Sequence, residues 1–185
     1  MINRGLSGYQ TDWAIPVFEQ VICRQRARVC RDAVVPQMLV ERGEQGNAPK
    51  VQLLTIWFGA NDAAPPPSPQ HVPLDRFKAN LVHLVNIVKS PTSPYHSPDT
   101  RIILITPPPV NSYQWTTRIF AETQAYAEAV KEVGAQVGVP VADVWTEIWD
   151  AAGHDERSCG RFLYDGLHLN AAGYEVKHTC GHDSG

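Results

Sequence analysis

Apolar residues along this chain come in two rhythms. Val51 to Phe58 is a nearly unbroken apolar run and Arg101 to Thr106 is a second, so both predict strands buried in a parallel sheet. Leu74 to Val88 places Phe77, Leu81, Leu84, Val85 and Val88 at helical spacing. Ala121 to Val137 is rich in alanine and glutamate, with Tyr126, Val130 and Val133 on one side, and also predicts a helix. Val139 to Val144 predicts a short third strand, Trp145 to Ala152 a short helix, and Asn170 to Val176 the start of another. Residues 1–12 read as the end of a strand entering a glycine-rich turn, after which Thr11 or Asp12 caps a helix from Trp13 to about Val21. Residues 23–48 are less regular. Val29, Ala33, Val34, Met38 and Leu39 share a helical face that Pro36 interrupts, and 43–49 is a loop. The proline-rich run 63–69 is irregular.

Strands that alternate with helices predict an α/β fold with a parallel sheet, right-handed crossovers and helices on both faces. In such sheets functional residues sit on loops at the carboxyl ends of strands. A chain of 185 residues is one domain by length, and its 43% apolar and 19% charged content is that of a globular protein. A net charge of −3 offers no global positive field for nucleic acid or an anionic membrane. Arg24, Arg26, Arg28 and Arg31 form the one basic run; without interleaved aromatics it reads as a solvated helix face or loop. Cys23, Cys30, Cys159 and Cys180 make no CxxC pair, so free thiols in a reducing compartment are expected, in keeping with a cytoplasmic location. No stretch approaches a membrane span, and no basic-then-apolar leader opens the sequence. Oligomeric state is open.

Three short segments carry candidate chemistry: Arg4-Gly5-Leu6-Ser7-Gly8-Tyr9-Gln10-Thr11, Gly59-Ala60-Asn61-Asp62 and Asp165-Gly166-Leu167-His168. The last sets a carboxylate and an imidazole three residues apart, as a histidine base needs if its ring is to be oriented and its charged form stabilised. Histidine suits a proton shuttle near neutrality. Asn61 offers an amide N–H from a loop, and a glycine at position 8 lets a backbone N–H approach a ligand without a Cβ in the way. Asp62 has no donor at neutral pH and is expected to shape its turn. Trp57 is expected to pack beneath the Asn61 loop. Taken singly, each segment is ordinary turn chemistry.

Taken in order, the three segments resemble the second, third and fifth blocks of the SGNH (GDSL-type) hydrolases, and within them the isoamyl acetate-hydrolysing esterases. The resemblance implies a flavodoxin-like three-layer α/β/α fold over residues 1–176. It also implies hydrolysis of small, acetate-type carboxylic esters through a serine acyl-enzyme, with no cofactor or metal. Under it, Gly8 and Asn61 supply the oxyanion hole, His168 is the base and Asp165 its orienting carboxylate. Donors aimed at the developing oxyanion are worth about 3–4 kcal/mol each.

The family's first block, Gly-Asp-Ser-Leu-like and bearing the nucleophile, has no counterpart; Asp183-Ser184-Gly185 falls at the wrong end, and no Gly-x-Ser-x-Gly elbow occurs. The nucleophile is therefore unknown, with Ser7 the nearest candidate. The expectation is that the sequence starts inside the second block, without a strand, serine loop and crossover helix of roughly 30 residues. Residues 177–185 are polar and glycine-bearing, unlike the last family helix, and are expected to form a disordered tail; His178, Cys180 and His182 match no standard zinc spacing. With the unusual stretch 22–36, these departures suggest a truncated or mis-assembled product, and a natural isoform and an assembly fault both stay open. A chain lacking the serine would be at most a binder of an ester or acyl group.

Overall fold

The computed structural model describes residues 6–23 and 51–176. The expected strand end at 1–5, the arginine run, the Pro36-interrupted segment and the 177–185 tail lie outside the described residues. Three strands, β1 (Leu53–Trp57), β2 (Arg101–Ile105) and β3 (Val141–Ala142), form a parallel sheet in the order β1-β2-β3. Leu53 pairs with Arg101 and Leu104 with Val141. Helices α1 (Thr11–Cys23), α2 (Leu74–Lys89), α3 (Phe120–Val137), α4 (Val144–Ala151) and α5 (Ala171–Glu175) connect or flank them. The fold is α/β with a parallel sheet.

The helical spacing read for α2 holds in three dimensions. Phe77, Leu81, Leu84, Val85 and Val88 are buried, with Asp75 in the first turn and Lys89 in the last, matching the helix dipole. Tyr126, Val130 and Val133 of α3 are buried with them against Leu54, Ile56, Ile102 and Leu104 of the sheet. Each such side chain stabilises the fold by about 1.5–3 kcal/mol relative to exposure. A second cluster joins Ile148, Ala152, Cys159 and Leu163 beneath the loop that carries Asp165 and His168.

Several boundaries differ from the sequence reading. The apolar run 51–58 predicts a strand buried on both sides, yet β1 alternates: Leu54 and Ile56 are buried, while Leu53 and Trp57 are 51% and 40% exposed. Trp57 lines a cavity instead of core. Strand β3 keeps two residues of the six expected, because Val139 N–H turns back to Gly134 O and Asp143 already caps α4, accepting from the Thr146 N–H at 3.2 Å. Helix α1 begins at Thr11, earlier than expected, and runs past Val21. The buried Gln10, and not Thr11 or Asp12, occupies the cap: its Oε1 accepts from the Asp12 and Trp13 amides. Thr11 and Asp12 are committed elsewhere. Thr11 N and Oγ1 both donate to Asp62 Oδ1, at 2.8 and 2.6 Å, and Asp12 pairs with Arg76 at 2.8 Å. Among the described residues no helix is long and apolar enough to cross a membrane.

Candidate active site

Two loops and one turn meet at a cavity of about 360 Å³ whose walls include Ser7, Gly8, Trp57, Asn61, Leu167 and His168. The turn comes first in the chain. Tyr9 N–H bonds to Leu6 O at 3.3 Å, closing a β-turn in which Gly8 is the third residue with φ +76°. A type II turn needs a positive φ at that position. A Cβ there would sit in ordinary contact with Gln70 at 3.6 Å, so within the chain it is backbone conformation, not crowding, that selects glycine.

The loop after β1 is organised around Asp62, which is fully buried. Its Oδ1 holds Thr11 at the start of α1, and its Oδ2 accepts from Gly59 N at 3.1 Å. Asp62 thus shapes its turn, as the residue type suggested, and also ties the turn to α1. Burial pushes its carboxyl above the ordinary carboxylate value, against the pull of the Thr11 and Gly59 donors. Asn61 beside it donates from Nδ2 to Tyr9 O at 2.8 Å and accepts at Oδ1 from Gln70 Nε2 at 3.2 Å. These partners fix which end of the amide is the nitrogen. An amide nitrogen carries two hydrogens, so one is left for the cavity.

His168 and Asp165 lie after β3, the last described strand, in a loop beyond α4. An antiparallel bridge between Leu163 and Leu169 and a 2.7 Å bond from Tyr164 N to His168 O close it. Asp165 Oδ1 accepts from the Leu167 and His168 amides at 3.0 and 2.9 Å, and Oδ2 accepts from His168 Nδ1 at 2.8 Å. A carboxylate only accepts, so Nδ1 carries the proton and Nε2 of the neutral ring presents its lone pair. Burial lifts the Asp165 carboxyl, but the His168 amide and ring, the Leu167 amide and the imidazolium charge outweigh it. The group is held below the ordinary carboxylate value.

Contacts that residue spacing alone does not show complete the site. Gly166, φ +94°, lies flat on the loop after β2: a Cβ there would meet Gln114 Cβ at 2.7 Å and Asn111 O at 2.9 Å. Its carbonyl accepts from Asn111 N at 2.8 Å, and Trp115 from the same loop packs edge-on to the His168 ring, 5.7 Å between centroids. The Trp57 indole N–H donates to Thr106 O at 3.0 Å, and the residue lines the cavity alongside Gly59 and Asn61. Gln70 and the buried Arg118 stand behind Asn61 and Gly8. Among the described residues Ser7, which is exposed, is the only serine on the cavity wall, and no hydrogen bond joins it to His168. No three His, Cys, Asp or Glu side chains converge as a metal site would need among the described residues, and His178, Cys180 and His182 lie outside them.

Residues 1–176 match the GDSL-like lipase/acylhydrolase family, and the chain belongs to it. An isoamyl acetate-hydrolyzing esterase 1 homolog of Homo sapiens is 32% identical over 187 residues, covering 95% of this chain. The chain spans 64% of that relative's length. A GDSL esterase/lipase of Arabidopsis thaliana is 33% identical over 191 residues, with 95% of this chain and 68% of the relative covered. Among solved structures, a lipase/acylhydrolase from Enterococcus faecalis superposes with TM-score 0.60 at 24% identity, over 91% of this chain and 66% of the other. An acetylxylan esterase from Geobacillus stearothermophilus gives 0.61 at 20% identity, over 95% and 67%. These two likenesses show the fold, an α/β architecture shared with both structures.

Proposed function

We propose that the chain carries the acid–base pair and oxyanion hole of a serine ester hydrolase acting on small, acetate-type esters. One observation carries this reading: Gly8, Asn61 and His168 line a single cavity, and Asp165 binds the far nitrogen of His168. A serine hydroxyl attacking the carbonyl carbon would pass its proton to His168 Nε2 as the new C–O bond forms. The carbonyl oxygen gains the displaced electron pair and is held by the Gly8 N–H and the spare Asn61 N–H. Collapse expels the alcohol, which takes the proton back from His168, and water then repeats the sequence on the acyl-enzyme. Acetate esters are favoured because relatives are named for isoamyl acetate and a structural neighbour is an acetylxylan esterase.

One observation favours a second reading. Ser7 sits on the same turn as Gly8 and makes no bond to His168, so a chain relying on it would bind an ester or acyl group without cutting it. Hydrolysis of p-nitrophenyl acetate by the purified chain, its His168→Ala variant and its Ser7→Ala variant separates the two. Turnover lost in His168→Ala supports the hydrolase, and its survival in Ser7→Ala moves the nucleophile to another segment. Turnover indifferent to His168→Ala overturns the reading. Saturable ester binding in calorimetry with no turnover leaves the binding function in its place.

A further inference from the structure

Arg118 is 7% exposed, and yet no carboxylate among the described residues pairs with it. Its three partners are neutral oxygens: Ala60 O to Nε at 3.3 Å, Thr117 O to NH1 at 3.4 Å and Gln70 Oε1 to NH2 at 3.0 Å. Burying an unpaired charge is costly, and buried arginines are ordinarily matched by an anion. Burial lowers its pKa, but a guanidinium stays protonated in proteins.

The bonds leading away from Arg118 all run one way. Gln70 accepts the guanidinium at Oε1 and spends both hydrogens of Nε2, one on Gly8 O at 2.9 Å and one on Asn61 Oδ1 at 3.2 Å. Asn61 passes one of its own hydrogens to Tyr9 O and keeps the other. The chain Arg118 to Gln70 to Asn61 is thus donor-to-acceptor throughout and ends on an N–H beside the cavity. Hydrogen bonds aligned in this way polarise one another in a low-dielectric setting. The same Gln70 clamps the carbonyl of the Gly8 turn, and Arg118 holds the carbonyl of Ala60 immediately before Asn61.

We infer that Arg118, acting through Gln70, is a positioning residue that sets both Gly8 and Asn61 as oxyanion donors and that its charge is matched only when the oxyanion forms. The inference rests on the proposed role of Gly8 and Asn61. It explains why a buried cation is kept without a carboxylate: a permanent partner would cancel the field that the transition state is meant to feel.

Nitrogen-15 NMR of the full chain tests this without relying on turnover. In the wild type, the Arg118 Nε–H and the Gln70 side-chain amide exchange with water at least about tenfold more slowly than the Nε–H of exposed Arg101, as partly buried, bonded groups should. Exchange as fast as at Arg101 overturns the inference, and this arm needs no variant to fold. Gln70→Ala and Arg118→Met are expected to shift the Asn61 side-chain signals and the Gly8 amide, with Arg118→Lys intermediate because lysine keeps the charge but not the fork. Unmoved Asn61 and Gly8 signals in Arg118→Met overturn it. Where the chain turns over ester, Arg118→Met lowers kcat by roughly 10- to 100-fold with KM unchanged, since the lost contribution belongs to the transition state. Moved signals together with turnover indifferent to His168→Ala would sink the hydrolase reading and leave the brace standing. Unmoved signals together with His168-dependent turnover would do the reverse.

Discussion

The two sides of the cavity are built in opposite ways. The Asp165–His168 side is local: four consecutive residues make every bond that orients the imidazole, and the histidine side chain is 65% exposed. The Gly8–Asn61 side is assembled from afar. Its bonds join residues 52 and 62 positions apart, and its supports, Asp62 and Arg118, are buried. A proton carrier needs an oriented ring with one nitrogen free to meet its partner, which a short loop supplies. An oxyanion hole works only if its donors do not move when charge appears, and that rigidity comes from the core. Loss of a polar side chain from the first side should therefore cost chemistry alone, whereas such a loss from the second should cost chemistry and stability together.

The largest effect is expected from Asp165→Asn. The asparagine keeps the shape and one acceptor but no longer fixes the histidine tautomer, and under the proposed hydrolase reading kcat for p-nitrophenyl acetate should fall by about 10⁴-fold. Urea unfolding should move by no more than about 0.5 kcal/mol, as for an ordinary surface change. Asn61→Ala comes next. Its kcat should fall by about 10²- to 10³-fold for the lost donor. Its stability should also fall, by about 1–3 kcal/mol, because Tyr9 O and Gln70 Nε2 lose their partner. Equal stability losses in the two variants would erase the contrast between the sides.

That contrast also governs what could be read from the residues alone. The Asp165–His168 pair was legible because its geometry follows from a spacing of three, and α2 and α3 were legible because their apolar residues repeat at helical period. Gln70 and Arg118 were not. Nothing near Gln70 in sequence marks a residue that spans from Gly8 to Asn61, and a lone arginine ahead of a helix reads as solvated. The cap of α1 was misassigned for a related reason. Thr11 and Asp12 are the better capping types, but long-range bonds to Asp62, Asn80 and Arg76 take them, and Gln10 fills the vacancy. The run 51–58 was misjudged because an apolar strand looks the same whether its second face meets a helix or, as at Trp57, a cavity.

Glycine substitutions sharpen the comparison at smaller scale. Gly166→Ala adds a Cβ where Gln114, Asn111 and Trp115 already stand within 3.0 Å, on a backbone with φ +94°. The expected cost is about 2–3 kcal/mol, from strain and crowding combined. It should also loosen Trp115 from His168, which the fluorescence of the tryptophans can follow. Gly8→Ala carries the conformational penalty alone, about 1 kcal/mol, because the added Cβ meets only Gln70 at an ordinary 3.6 Å. Gly8→Ala proving the costlier of the two in urea would show that the turn, not the histidine loop, is the tightly packed piece.

The smallest effects lie in the pH dependence of stability, where the two sides should slope in opposite directions. Asp165 is held below its ordinary value, so its ionised form stabilises the fold above the unfolded pKa of about 3.9, and that contribution is lost as pH falls through the folded value. Asp62 is pushed above its ordinary value by burial. The folded state therefore keeps its proton longer, and the stability this contributes is present below the unfolded pKa and lost as pH rises through the folded value. Urea midpoints measured across the acidic range, for wild type against Asp165→Asn and against Asp62→Asn, isolate the two carboxyls. The wild-type advantage should grow with pH in the first comparison and shrink with pH in the second. Slopes of the same sign would mean that Asp62 is better compensated than its burial implies, and that the Gly8–Asn61 side carries no charge stress of its own.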